Sequence, residues 1–289
     1  MTRGRALPVA AVGVALLVLW YGAALLLNGP QATEQLARAG VTWTPWRLAG
    51  EAFGLTRPIL PTPDKILLDL VRTTFGYPPT DPRSLVYHAS VTAGSALAGF
   101  VLGSAVGAVL AVGIVHVRTL ESSLMPWVIG SQTVPILAIA PMVVVILGNL
   151  GLTGVLPKAA ISAYLSFFPV TIGMTKGLRS PDPLALDLMR TYSAGPLAVL
   201  LKLRLPGSVP YLFAALKVGV AVSMVGAIVA ELPTGGTAGL GARLLSGSYY
   251  GQTLQIWSAL VAAAALSLLL VYAVGGVERL VLDRMGRPR

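Results

Sequence analysis

The 289-residue sequence contains no cysteine, which excludes a disulfide framework and any thiolate-based metal or redox site. Charge is scarce too. Only 11% of residues are Asp, Glu, Lys or Arg, against about 25% in a soluble domain, so most of the surface must face lipid or other protein. The two histidines, His88 and His116, lie far apart, each near the end of an apolar run. They are read as solvated at the membrane interface, and no metal site is expected. No Gly-Lys dipeptide occurs, which excludes a phosphate-binding P-loop. No Ser-His-Asp set or intramembrane carboxylate pair is present either, so the chain is not read as an enzyme. The formal net charge of +10 comes without an aromatic-basic patch, and no nucleic-acid partner is expected.

What is abundant is apolar sequence: 55% of residues are hydrophobic, and mean hydropathy is +0.78. A helix needs about 20 apolar residues to cross the hydrocarbon core. Runs at 7–27, 89–115, 124–147 and 253–277 carry no charge, 155–175 carries Lys158 near one end, and 208–230 carries Lys217. Six transmembrane helices are therefore expected. The first run is longer than a signal-peptide core and no small-residue cleavage site ends it, so it is read as retained. Continuous rather than alternating runs exclude a transmembrane β-barrel.

Basic residues orient the chain. With the N-terminus inside, Arg3, Arg5, Arg118, Lys176, Arg179, Arg190, Lys202, Arg204, Arg279, Arg284, Arg287 and Arg289 are all cytoplasmic. The outer loops 148–154 and 231–252 hold only Arg243. Both termini are expected in the cytoplasm. The sequence divides into 1–88, a membrane helix plus an extracytoplasmic amphipathic segment, and 89–289, a core of five membrane helices.

In the first part, Trp43 and Trp46 suit a membrane interface. After Leu60-Pro61-Thr62-Pro63, Thr62 can cap a helix that Pro63 opens. Ile66, Leu67, Leu70, Val71 and Phe75 then make one apolar stripe, with Lys65 and Asp69 spaced to pair. Such a helix lies on the outer membrane face or packs on the protein's own spans.

Gly99, Gly103 and Gly107 recur every fourth position, which opens a groove for a neighbouring helix backbone. The third run contains Pro126, Pro135 and Pro141. Prolines free carbonyls that must be buried in protein or face a watery cavity, so Gln132, Val134, Pro135 and Pro141 are candidates for lining a translocation pathway, a structural kink being the alternative. Met224 and Glu231 of the fifth run join them as pathway candidates. Glu231 otherwise reads as a solvated boundary residue, and Lys217 as a snorkelling side chain or a substrate contact.

The segment 176–207 is polar and punctuated, and by topology cytoplasmic. Gly195-Pro196 should open a short helix. Residues 197–203 are too few to cross a bilayer, and too few for a stable isolated helix, so they must dock. Leu205-Pro206 and Pro210 are expected to stop that helix.

This loop resembles the Glu-Ala-Ala loop of ABC importer permeases, whose pattern ends in Ile-x-Leu-Pro. Anchored on Leu205-Pro206, the pattern puts Leu203 at its isoleucine, Ser193 at its glycine and Asp187 at its glutamate. Leu188 and Met189 replace its alanines, and Gly195 is expected to supply the flexibility that Ser193 lacks. Further stretches, QTVPILAIAPMVVVILGNLG (132–151), FFPVTIGMTKGLRSPDP (167–183), VGAIVAEL (225–232), GLGARL (239–244) and the early LPTP, are similar to the nitrate/sulfonate/taurine branch.

The resemblance implies an all-α, type I (MetI-like) permease fold in the bacterial inner membrane. It implies a dimer of two copies, two ABC ATPase subunits using ATP and Mg, a solute-binding protein outside, and no cofactor on this chain. Asp187, Tyr192, Ser193, Ala194, Gly195, Leu201, Leu205 and Pro206 would then couple to the ATPase through the short helix. The solute would be nitrate-, sulfonate- or taurine-like, or a pyrimidine, vitamin or aromatic acid. A secondary transporter or channel without an ATPase is the alternative, but it should show repeat symmetry and intramembrane ionisable pairs.

Overall fold

The computed structural model describes residues 3–42, 44–233 and 238–286. Trp43, Arg287 and Arg289 fall outside that description, as do the side chains of Arg3 and Arg5. All regular secondary structure among the described residues is helical. In chain order they form α1 (Arg3–Arg38), α2 (Pro45–Gly54), α3 (Pro63–Phe75), α4 (Leu85–His116), α5 (Arg118–Gly130), α6 (Ile136–Asn149), α7 (Val155–Leu178), α8 (Pro183–Thr191), α9 (Pro196–Val199), α10 (Leu205–Glu231), α11 (Leu240–Tyr249) and α12 (Thr253–Arg284).

Among the described residues, five helices are long and apolar enough to cross a membrane: Leu7–Arg38, Leu85–His116, Val155–Leu178, Pro196–Glu231 and Thr253–Arg284. The expected third span is different. It is a pair, Arg118–Thr133 and Ile136–Asn149, bent by 102°. A 3₁₀ turn, Ser131–Thr133, and extended backbone at Val134 and Pro135 separate the two limbs. Pro135 lacks an N–H, and Val134 before it is held out of the helical region, so the helix must break there. The freed carbonyls find partners. Ser131 Oγ donates to Val128 O at 2.7 Å, Thr133 Oγ1 donates to Gly130 O at 2.8 Å, and the Tyr164 hydroxyl donates to Ser131 O. Pro126 and Pro141, by contrast, sit inside their helices.

The chain forms two compact units. One comprises residues 1–88 with 243–262. Asn28, fully buried, holds its loop together: its Nδ2 donates to Leu60 O at 2.9 Å, and its Oδ1 accepts from Ile59 N at 2.8 Å. Trp20 donates to Pro61 O at 3.0 Å and meets Trp257 edge-on at 4.8 Å. Helix α3 exists as expected and opens with Pro63, but Thr62 makes no side-chain cap bond. Nor do Lys65 and Asp69 pair: Lys65 Nζ donates to Leu55 O at 3.1 Å, and Asp69 accepts from Ser258 at 2.6 Å. Their nearer partners win because a surface ion pair contributes little. The apolar stripe divides, with Ile66 buried, Leu70 half-buried, and Leu67, Val71 and Phe75 exposed. His88 is buried rather than solvated, its Nε2 2.7 Å from Pro82 O. His116, at the end of α4 in the second unit, is exposed.

The second unit comprises residues 89–242 with 263–289. Its centre is α7, gripped on two sides through small residues. A side-chain carbon at Gly99, Gly103 or Gly107 would come within 2.6 Å of Ala159 O, 2.6 Å of Ala163 O or 2.7 Å of Phe167 O. The glycine face therefore lies against α7. On its other side α7 meets α10, where Gly226 approaches Ser162 Cα and Gly177 approaches Ser208. Between helices that lipid would solvate equally well, such close backbone approach supplies the attraction. Ala96, Val220, Met224, Ala227 and Leu270 form one apolar core. Ala111, Met174 and Leu178 form another.

Candidate functional site

At one end of the second unit the start of α4, the start of α7 and the end of α10 converge on Glu231. Its side chain is fully buried, not solvated as a boundary residue would be. Thr92 Oγ1 donates to the carboxylate at 2.9 Å, and Gly241 N donates to it at 2.8 Å. Thr92 Oγ1 also accepts from Leu240 N at 2.8 Å. Lys158 Nζ lies 3.8 Å away. A side chain at Gly239, which holds φ +122°, would collide with the carboxylate. Glu231 thus ties the outer segment around 239–241 to the helix ends beneath it. Charged groups cannot be buried without such partners.

The other pathway candidates separate. Gln132, Val134, Pro135 and Pro141 are exposed along the bent α5–α6 pair. Met224 is 1% exposed and packed in the apolar core with Ala96, Val220 and Ala227, so it does not stand on an open surface. Lys217 does not simply snorkel: its Nζ pairs with Glu278 near the end of α12.

At the opposite end of the same unit lies the polar loop. Arg204 donates to Leu178 O at 3.1 Å and Arg179 pairs with Glu121 at 2.8 Å, which closes the helix ends over α7. The loop departs from expectation in two ways. First, the helix opened by Gly195-Pro196 does not stop at Leu205-Pro206. It runs through a π turn, Leu200–Arg204, into α10, so 196–231 is one continuous helix. Pro206 therefore lies inside the continuous helix, and the wider π turn just before it makes room for its ring. Second, the turn is not made by Gly195, whose φ is −66°, but by Ser193 at φ +52°. Ser193 N donates to Arg190 O at 2.8 Å and Ala194 N to Met189 O at 2.9 Å. That pairing is a Schellman C-cap, whose left-handed position is usually glycine.

The free-standing short helix is α8. Asp182 caps it by accepting from Leu184 N at 2.9 Å, and none of its residues is buried. Leu184 and Leu188, one turn apart, are exposed, and Tyr192 follows them at the helix end. Neither leucine was singled out from the sequence as a contact, although the Asp182-Pro183 start and the four-residue spacing were visible there. Asp187 is exposed and pairs with Arg190 at 2.9 Å. Gly195 and Leu201 are also exposed, whereas Ala194, Leu205 and Pro206 are half-buried.

Residues 99–287 match the family described as binding-protein-dependent transport system inner membrane component. The chain belongs to that family. It is a multi-pass inner-membrane permease, the transport subunit of an ABC importer. The family implies ATPase and binding-protein partners. Among relatives, a probable ABC transporter permease protein of Haemophilus influenzae is 29% identical over 83% of this chain and 93% of its own length. The riboflavin transport system permease protein RibX of Chloroflexus aurantiacus is 29% identical over 67% of this chain and 70% of its own. A putative aliphatic sulfonates transport permease protein, SsuC of Bacillus subtilis, is 24% identical over 82% of both. In this permease, then, the Glu231 cluster and the α8 loop occupy opposite ends of the second unit.

Proposed function

We propose that two copies of the permease form the pathway and that α8 transmits the ATPase stroke to it. The observation that carries this reading is α8 itself: an exposed helix bearing Leu184, Leu188 and Tyr192, held at a fixed angle by the Schellman turn at Ser193. Exposed leucines on a helix with no buried residue want a partner groove. Asp187, Tyr192, Ser193, Ala194, Gly195, Leu201, Leu205 and Pro206 belong to that surface or to the hinge that carries it. ATP and Mg act on the ATPase, and this chain binds no cofactor. Gln132, Val134, Pro135 and Pro141 border the pathway. The substrate is a small organic or inorganic solute delivered by an extracytoplasmic receptor, in the nitrate/sulfonate/taurine branch of the family. Relatives named for sulfonates, riboflavin and formylaminopyrimidine support that range and do not narrow it.

The test is reconstitution. The permease with its ATPase and receptor should take up solute in proteoliposomes only with ATP, and Leu188→Asp should abolish uptake while leaving membrane insertion intact. ATP-independent uptake by the permease alone would overturn the reading.

A further inference from the structure

Beside the Glu231 cluster a cavity of about 290 Å³ opens between the end of α6 and the start of α7. It is lined by Val144, Gly148, Leu152, Thr153, Pro157 and Lys158. By the distribution of basic residues this end faces outside the cell. Lys158 is only 8% exposed. Among the described residues its ammonium, with three donors to place, has the 3.8 Å approach to Glu231 as its ion pair, a distance too long for a hydrogen bond. Glu231 itself is already served by Thr92 and by Gly241 N, so it has little cause to draw the lysine closer. The lysine side chain is thus mostly buried while its ammonium reaches the wall of an open cavity, with no hydrogen bond to a protein acceptor among the described residues. The first turn of the 24-residue helix α7, with no side-chain cap at Gly154, sits at the same place. Apart from Thr153 and the glycines, the remaining walls are aliphatic.

We propose that this cavity is an anion-accepting subsite on the extracytoplasmic side, taking a small organic anion whose carboxylate, sulfonate or phosphate meets Lys158 and whose apolar body lies on Val144, Leu152 and Pro157. The proposal rests on the importer reading and narrows its solute to an anion. Binding there competes with Glu231 for Lys158. Since Glu231 also holds the segment 239–241, arrival of the anion acts on the fastening of that outer segment.

The natural absence of cysteine makes a direct test possible. Thr153→Cys is placed in the assembled importer, without ATP, in phosphatidylcholine nanodiscs. Its reaction rate is measured with a small sulfonate-bearing thiosulfonate reagent and with the matched trimethylammonium reagent. The anionic-to-cationic rate ratio should fall at least roughly tenfold in Lys158→Met, the scale of one unit charge a few ångströms away in a partly wet site, and stay high in Lys158→Arg. Ethanesulfonate or benzoate at millimolar concentration should slow labelling in the parent, and ethanol should not. An unchanged ratio in Lys158→Met, with the variant still assembled, would overturn the proposal. If Lys158→Met fails to assemble, the parent's protection by ethanesulfonate or benzoate against none by ethanol decides. Protection seen only when phosphatidylglycerol is added would give the site to a lipid phosphate and overturn the solute assignment. ATP-driven uptake is measured separately on the parent, so loss of the importer reading is distinguishable from loss of the anion site.

Discussion

Ser193 shows how one backbone angle tests an alignment. The family pattern put a glycine at this position, and a serine stands there with φ +52°. The left-handed conformation costs an L-residue about 1–2 kcal/mol, most of which glycine avoids. Ser193→Gly should therefore leave the α8 turn intact and change stability by no more than about 1 kcal/mol, since the added chain entropy of glycine opposes the relief. Ser193→Val, branched at the carbon that crowds this region, should destabilise by about 1–2 kcal/mol and loosen the loop. Thermal unfolding of the two variants, with ATPase co-purification, reads the difference. Equal behaviour would mean that the turn is not under conformational control. Glu231 makes the second residue-scale prediction. Removing one member of a buried charged cluster typically costs about 3–5 kcal/mol. Glu231→Ala strands Lys158 and the Gly241 N–H, so unfolding in bilayers should show a loss of that order. Glu231→Gln keeps an acceptor for Thr92 and Gly241 and should lose less.

At the scale of elements, the α4–α7 contact is set by glycines spaced four apart. Gly103→Leu should impair folding or assembly by more than the about 1–3 kcal/mol of ordinary overpacking, because the obstacle is the Ala163 carbonyl rather than a side chain that can move. Gly94→Leu, on the same helix with open space around it, is the control and should assemble normally. Equal yields of the two variants would remove the packing argument. Single cysteines at Gln132, Val134 and Pro141 should react with water-soluble thiol reagents, and differently with and without ATP. A cysteine at Met224, closed in by Ala96, Val220 and Ala227, should stay unreactive in both conditions. Much of this architecture was legible in the sequence. Five membrane helices follow from apolar length alone, and the glycine ladder from its spacing. The bend was legible as prolines but not as an angle, since Pro126 and Pro141 stay inside helices while Pro135 breaks one. Proline removes a donor in every case; the three-dimensional supply of hydroxyls at Ser131, Thr133 and Tyr164 goes with the break at Pro135. The burial of Glu231 could not be read locally, because its partner Thr92 lies 139 residues away.

At the scale of the whole permease, the two ends of its second unit divide the work proposed for it. The outer end carries the buried Glu231–Lys158–Thr92 cluster, and the inner end carries α8 with its exposed leucines. One continuous helix, 196–231, runs from beside the α8 turn to Glu231, so a displacement of the loop reaches the outer cluster without crossing a hinge of independent loops. The π turn at 200–204 and the prolines Pro206 and Pro210 are the irregularities on that path. Gly195 offers a sharp test of partner contact, because its conformation is open to any residue and a side-chain carbon there meets nothing within 4 Å in this chain. Gly195→Trp should therefore insert and fold as the parent does, with an unchanged unfolding temperature. In the assembled importer the indole would add bulk beside Tyr192 and Leu197, both exposed, on the surface proposed to meet the ATPase. Substrate-stimulated ATP hydrolysis and uptake should then fall sharply while the membrane helices remain inserted. Hydrolysis and uptake at the parent level in Gly195→Trp would show that this loop is not the element through which the motor drives the pathway.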